Sequence, residues 1–177
     1  MVYALLADGF EESELIVPID MLIRGGAQVE LVSVDKEVVC GAHGIKISAD
    51  CHMYDVELAQ GDLLFLPGGQ PGVDNLWSCK GALDLVMSAA EMGIPIAAIC
   101  AAPMILGRLG LLEGRRAVCY PGCEGDLHGA IIENAPAVTD GNFITGKAAG
   151  AVFPFAVELL KKLRLDADRV MKAVYHE

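Results

Sequence analysis

The stretch Ile94-Pro-Ile-Ala-Ala-Ile-Cys-Ala-Ala-Pro103 decides how the chain is read. Ile96–Ile99 is a short apolar run of strand length, and Pro95 opens it. One cysteine follows, then Ala101 and Ala102, then Pro103 where a helix begins. A strand, a nucleophile and a helix in direct succession make a nucleophile elbow, whose usual pattern is Gly-x-Ser-x-Gly. Ala98 and Ala102 stand at the small-residue offsets, so the flanking elements can approach closely around a sharp turn. Pro103 lacks an N–H, which costs nothing in a first helical turn and pre-sets the helical φ. Cys100 then sits at the positive end of a helix, and such placement is expected to lower a thiol from ~8.5 toward neutrality. The plainer alternative is a small buried hydrophobe at a strand end, the common state of a free cysteine. The motif shape leaves both open.

Upstream, Leu66-Pro-Gly-Gly-Gln-Pro-Gly-Val-Asp74 follows another buried strand, Leu63–Leu66. Paired glycines there permit positive φ and leave backbone N–H groups free to face a ligand, or they mark a tight turn and nothing more. Further upstream, Val2–Ala7 reads as a strand that runs into Asp8-Gly-Phe-Glu-Glu-Ser-Glu14. Three carboxylates at a helix start suit the helix dipole, and one of them can also point beyond the strand end. In open parallel sheets ligands bind outside the carboxyl ends of the strands, so all three segments converge on one crevice. A carboxyl buried beside a cysteine has its acidity reduced by desolvation and by like charge. It then stays protonated and donates a hydrogen bond to sulfur.

The rest of the chain alternates in the same way. Helical spacing of Leu15, Ile19, Leu22 and Ile23 predicts a helix over 11–24 closed by Gly25-Gly26, with Pro18 bending it or delaying its start. Strands are expected at Val29–Val34 and Arg116–Cys119, and a small antiparallel excursion at Glu37–Cys40 and Ile45–Ser48. Helices are expected over Gly81–Met92, from Pro103 to about Leu109, over Ala149–Leu163 and over Ala167–Val174. Ala137–Thr139 and Phe143–Thr145 flank the turn Asp140-Gly141-Asn142. Strands alternating with amphipathic stretches imply an α/β fold around a mostly parallel sheet.

The 177 residues suit one domain of the common ~100–200 residue size, and 54% hydrophobic residues suffice for a core. Lys+Arg 13 against Asp+Glu 24 leaves −11, which repels phosphate backbones; no nucleic-acid partner is expected. No run approaches ~18 apolar residues and Met1–Ala7 is too short and uncharged for a secretory signal, so no membrane span is expected and the chain reads as cytoplasmic. The six cysteines, Cys40, Cys51, Cys79, Cys100, Cys119 and Cys123, then read as reduced thiols. Cys119 and Cys123 are the one close pair, and no second pair or suitably spaced His completes a zinc site, so no metal is expected. There is no Gly-x-Gly-x-x-Gly after a strand and no Walker lysine, so no nucleotide cofactor is expected.

Together, Gly9-Phe-Glu-Glu-Ser-Glu-Leu-Ile-Val-Pro-Ile-Asp20, Leu66-Pro-Gly-Gly-Gln-Pro-Gly-Val-Asp-Asn-Leu76 and Ala97-Ala-Ile-Cys-Ala-Ala-Pro103 resemble the ThiJ/PfpI superfamily, in the branch that contains the Parkinson-disease deglycase. Thr145-Gly-Lys-Ala-Ala-Gly150 is a weaker match. The resemblance implies a single domain over residues 1–177 with a flavodoxin-like three-layer sandwich and a nucleophile elbow, usually as a homodimer. It implies that Cys100 is the elbow nucleophile, Glu14 its protonated partner, and Gly69 and Ala101 the donors of an oxyanion site. No cofactor is implied. The implied chemistry is a glyoxalase or protein deglycase acting on a small carbonyl substrate, a methylglyoxal-type α-oxoaldehyde or its early adducts, with Tyr120 orienting the substrate hydroxyl. An oxidation-sensing stress or chaperone role for the same cysteine is the alternative. The peptidase branch carries His directly after the cysteine, where this chain has Ala101, and several deglycases carry His where this chain has Tyr120. Of His43, His52, His128 and His176, only His128 lies where it could reach the crevice. Peptide hydrolysis is therefore not expected.

Overall fold

The computed structural model describes residues 1–174; the tail His176 lies outside them. The strands of the main sheet are β1 (Val2–Leu6), β2 (Val29–Ser33), β5 (Cys51–His52), β6 (Leu63–Leu66), β7 (Ile96–Ile99), β10 (Ala137–Asp140) and β11 (Phe143–Gly146). Two short pairs stand apart: β3 (Val38–Cys40) with β4 (Lys46–Ser48), and β8 (Arg116–Ala117) with β9 (Ile131–Ile132). The helices are α1 (Glu12–Gly25), α2 (Gly72–Ser78), α3 (Lys80–Glu91), α4 (Pro103–Arg108), α5 (Val152–Lys162) and α6 (Ala167–Ala173). The seven-stranded sheet runs β10-β11-β7-β6-β1-β2-β5, parallel throughout except for the β10–β11 hairpin at one edge.

The central strands are buried on both faces, as parallel strands covered by helices must be. Alternation along them sorts the core into two layers. Leu63, Phe65, Ala97 and Ile99 face α1, α5 and α6 through Leu15, Leu22, Phe155, Leu159 and Val170. Leu64, Leu66, Ile96 and Ala98 face α3 and α4 through Val86, Ala89, Ile105 and Leu106. This is the α/β flavodoxin-like sandwich expected from the sequence.

Several details differ from the expectation. The 67–80 segment contains α2, a seven-residue helix whose glycines and proline hide its periodicity. The strand expected at Arg116–Cys119 is limited to Arg116–Ala117 and pairs in parallel with β9 outside the main sheet. Beyond it the backbone follows side-chain and loop partners instead: the Val118 N–H donates to the buried Thr145 hydroxyl at 3.0 Å. Pro18 does not delay the start of α1, which begins at Glu12 and runs on through it. Its ring costs one N–H, the one that would have met the Glu14 carbonyl four residues back. Ile23 points outward at 55% exposure, so the buried stripe of α1 is Leu15, Ile19 and Leu22.

Candidate active site

β7 delivers Cys100 to the carboxyl end of the sheet, where the chain must turn at once into α4. The turn is made with Cys100 at φ 65, the left-handed region, and its N–H donates to the Gly146 carbonyl at 2.9 Å. A non-glycine residue held there stores of the order of 1–3 kcal/mol, strain that persists only where the surroundings over-determine it. The elbow read from Ala98-Ile-Cys-Ala-Ala102 is therefore present. The electrostatic expectation attached to it is not. α4 is six residues long, and burial of the sulfur outweighs its first turn: desolvation, then the charge of Glu14, push the Cys100 thiol up to about 12, against the backbone N–H groups of Gly69 and Ala101 that pull it down.

Glu14 lies in the first turn of α1 and is 1% exposed. Burial raises its carboxyl to about 7, against a hydrogen bond with Cys100 and the backbone N–H groups of Ala149 and Gly68. Oε2 is fully buried without a hydrogen-bond partner. A carboxylate oxygen left in that state is costly, whereas a protonated one becomes a donor. Both members of the pair resist ionisation, so it loses its first proton near neutrality and its second far above. Between those limits it carries one negative charge and one proton.

The Gly68-Gly69 loop closes the site from β6. Gly69 has φ +92, and Gly68 lies between Glu14 and Cys100 with no room for a side chain. The Glu11 N–H donates to the Gly68 carbonyl at 2.9 Å, which ties the loop to the start of α1. The structure thus brings Cys100, Glu14, Gly69 and Ala101 together on one sulfur atom. Tyr120 is anchored nearby through its backbone, whose N–H donates to the Cys100 carbonyl at 2.7 Å, while its side chain is half exposed. His128 is exposed and is not among the groups that act on Cys100. A cavity of about 450 Å³ lies between the ends of β1 and β2 and α2, lined by Asp8, Ser33, Lys36 and Asn75 among others. Asp8, the first acid of the 8–14 cluster, is drawn there by the Lys36 ammonium and the Cys40 N–H, away from the sulfur.

Residues 1–162 match the DJ-1/PfpI family. The chain belongs to that family. It is 33% identical over 165 residues to a deglycase of Pyrococcus abyssi, which covers 92% of this chain and 99% of that protein. It is 39% identical over 161 residues to protein DJ-1 homolog B of Arabidopsis thaliana, covering 89% of this chain and 37% of the plant protein. The chain therefore spans less than half the length of this plant relative. A crystal structure of a DJ-1 superfamily protein from Salmonella typhimurium superposes with a TM-score of 0.93 at 34% identity, over 99% of this chain and 98% of the other.

Sequence reasoning missed one group beside this DJ-1/PfpI site. Glu12, read only as a helix-dipole residue, is 6% exposed and accepts from the backbone N–H of His43 at 2.8 Å and of Ile45 at 3.3 Å. It fastens the turn between β3 and β4 to the start of α1. The signal for this was faint: Gly41 and Gly44 on either side of His43 mark a tight turn, and nothing local says which acid will hold it.

Proposed function

We propose that the protein is a cysteine-dependent, cofactor-free enzyme of the glyoxalase or deglycase type, acting on methylglyoxal-like α-oxoaldehydes or their early adducts. The observation that carries this reading is the convergence of Glu14 and the Gly69 and Ala101 N–H groups on a strained Cys100. The deglycase-named archaeal relative supports it. In the reactive form the single charge of the pair sits on sulfur, where two backbone N–H groups face it, and the proton sits on Glu14, whose Oε2 otherwise has no partner. The thiolate adds to the aldehyde carbon, and the carbonyl electron pair becomes an alkoxide stabilised by the same N–H groups. That alkoxide takes the Glu14 proton to give a hemithioacetal. Glu14, now a carboxylate, removes the C–H proton from that carbon and returns it to the neighbouring carbon, while the hydroxyl proton passes to the neighbouring oxygen, leaving a lactoyl thioester. Water hydrolyses the thioester to lactate and frees the thiol. Tyr120 is assigned to orienting the substrate hydroxyl.

The test is lactate formation from methylglyoxal. Cys100→Ala is expected to abolish it, and Glu14→Gln, which has the hydrogen-bonding shape but no proton to exchange, is expected to cost about 10²-fold or more. A full rate in either variant overturns the reading. The homodimer expected of the family belongs to the same proposal; Ile16 and Ile23, two turns apart on the outer face of α1, are exposed apolar residues available to it.

A second reading rests on the same partnerless oxygen. Two equivalents of peroxide would carry the Cys100 sulfur through sulfenic to sulfinic acid, releasing water at each step, and Glu14 Oε2–H would then donate to a sulfinate oxygen. Mass spectrometry after stoichiometric peroxide checks this. Selective +32 Da on Cys100, lost preferentially in Glu14→Ala, together with negligible turnover would favour a sensor; oxidation spread over several cysteines would remove that reading.

A further inference from the structure

We propose that Glu11, Glu12 and His43 form a binding site for a divalent transition-metal cation of the Zn²⁺ type, separate from the cysteine. Glu11 caps α1 and Glu12 begins it, while His43 comes from the turn between β3 and β4, thirty-one residues from Glu12. His43 Nδ1 lies 2.8 Å from Glu12 Oε2 and 3.7 Å from Glu11 Oε2, and one ligand atom from each of the three residues falls within 4.8 Å of the others. Metal–ligand bonds of 2.0–2.1 Å at tetrahedral angles set neighbouring donors roughly 3.3 Å apart. The two measured separations bracket that value, so a cation needs only small shifts to replace the hydrogen shared at Nδ1.

The two carboxylates are held by contacts that leave these oxygens free. Glu12 Oε1 takes both backbone donors, from His43 and Ile45, and Glu11 Oε1 accepts from the Ser13 hydroxyl at 2.9 Å. Both Oε2 atoms are left facing the imidazole. Gly41 makes this possible, since a Cβ there would overlap the Glu12 carboxylate. Charge is under-compensated as well. Among the described residues neither Glu11 nor Glu12 forms an ion pair with a Lys or Arg, so two negative charges face at most one positive imidazole. A divalent cation with a neutral imidazole closes that balance. One nitrogen and two carboxylate oxygens suit Zn²⁺ and its transition-metal neighbours better than Mg²⁺ or Ca²⁺, which ask for more oxygens. The His43 side chain is 70% exposed, which leaves water access to a fourth position. A bound cation would join the β3–β4 turn to the start of α1, and through the Glu11 backbone to the Gly68-Gly69 loop.

The experiment uses Cys100→Ala protein, so that the buried thiol does not compete, titrated with ZnCl2 in chelator-free buffer by calorimetry and by thermal unfolding. One site per chain with a rise in Tm is expected. Adding His43→Gln or Glu11→Gln should weaken binding about tenfold or more and remove the Tm rise. Because these changes also touch the turn, the protein with its native sequence is titrated with Co²⁺. Weak visible bands of nitrogen and oxygen ligation, without near-ultraviolet thiolate charge transfer at one equivalent, support the site. Unchanged affinity in both variants, no binding of Zn²⁺ at millimolar concentration, or a thiolate band at the first equivalent overturns it.

Discussion

Gly68→Ala is expected to abolish lactate formation and to destabilise the fold by about 3 kcal/mol, the upper part of the range for overpacking a tight core site. A Cβ at position 68 would overlap Glu14 Oε2 and come within 2.5 Å of Cys100 Cβ and 2.7 Å of the Ile99 carbonyl oxygen. Real Cβ atoms do not tolerate such distances, so something must move. Two of the three neighbours are backbone or nearly so. Ile99 is the last residue of β7, and Cys100 is fixed by its own backbone bonds to Gly146 and Tyr120. The side chain with freedom to yield is Glu14, and displacing it separates the proton carrier from the sulfur. The substitution thus attacks the pair without altering either member. Denaturant unfolding and the methylglyoxal assay measure both consequences. Wild-type stability with a wild-type rate in Gly68→Ala would show that Glu14 and Cys100 need not be in contact for turnover.

The second large effect concerns stability against pH. Glu14 is held near 7 by burial in the folded protein and has an ordinary value of 4.5 when unfolded. Between those limits the native state keeps a proton that the unfolded chain has released, so this group's contribution to stability falls as pH rises. It is complete below about 4.5 and has been lost by the time pH passes 7. At 1.36 kcal/mol per unit the loss amounts to about 3 kcal/mol. Gln at position 14 imitates the protonated form and does not titrate. The difference in unfolding free energy between Glu14→Gln and the parent should therefore shift by about 3 kcal/mol in favour of the variant from pH 4.5 to 7.5. Taking the difference cancels titration elsewhere, such as that of Asp8, which Cys40 and Lys36 hold below the usual carboxylate range and which acts in the opposite direction at lower pH. A flat difference would mean that Glu14 ionises normally in the folded protein. It would also remove the acid from the proposed mechanism.

Much of this site is legible in the sequence. The elbow at Cys100, the glycine cradle at 68–69 and an acid within 8–14 are local patterns: each is set by what a strand end followed by a sharp turn demands of backbone and side-chain size. Choosing Glu14 among its acidic neighbours came from family resemblance. Its physical reason appears only in three dimensions, because the four acids around the start of α1 meet four different environments. Asp8 meets Lys36, Glu11 meets Ser13 and the rim of the His43 ring, Glu12 meets the backbone of a turn about thirty residues away, and Glu14 meets the sulfur. The thiol's own acidity departs from the helix-start expectation for a related reason. A helix start is visible in sequence, but the depth of burial that overrides it is a property of the packed sheet ends.

Apolar periodicity and turn residues, acting over a few neighbours, were enough to determine the alternating α/β order, the parallel core strands and the cysteine at the head of a helix. Long-range packing alone decided that β8 leaves the main sheet, that α1 runs through Pro18, that Glu12 and His43 meet, and that Glu14 is buried against Cys100. Desolvation and close approach between segments remote in the chain set those outcomes, and neither has a signature in local sequence.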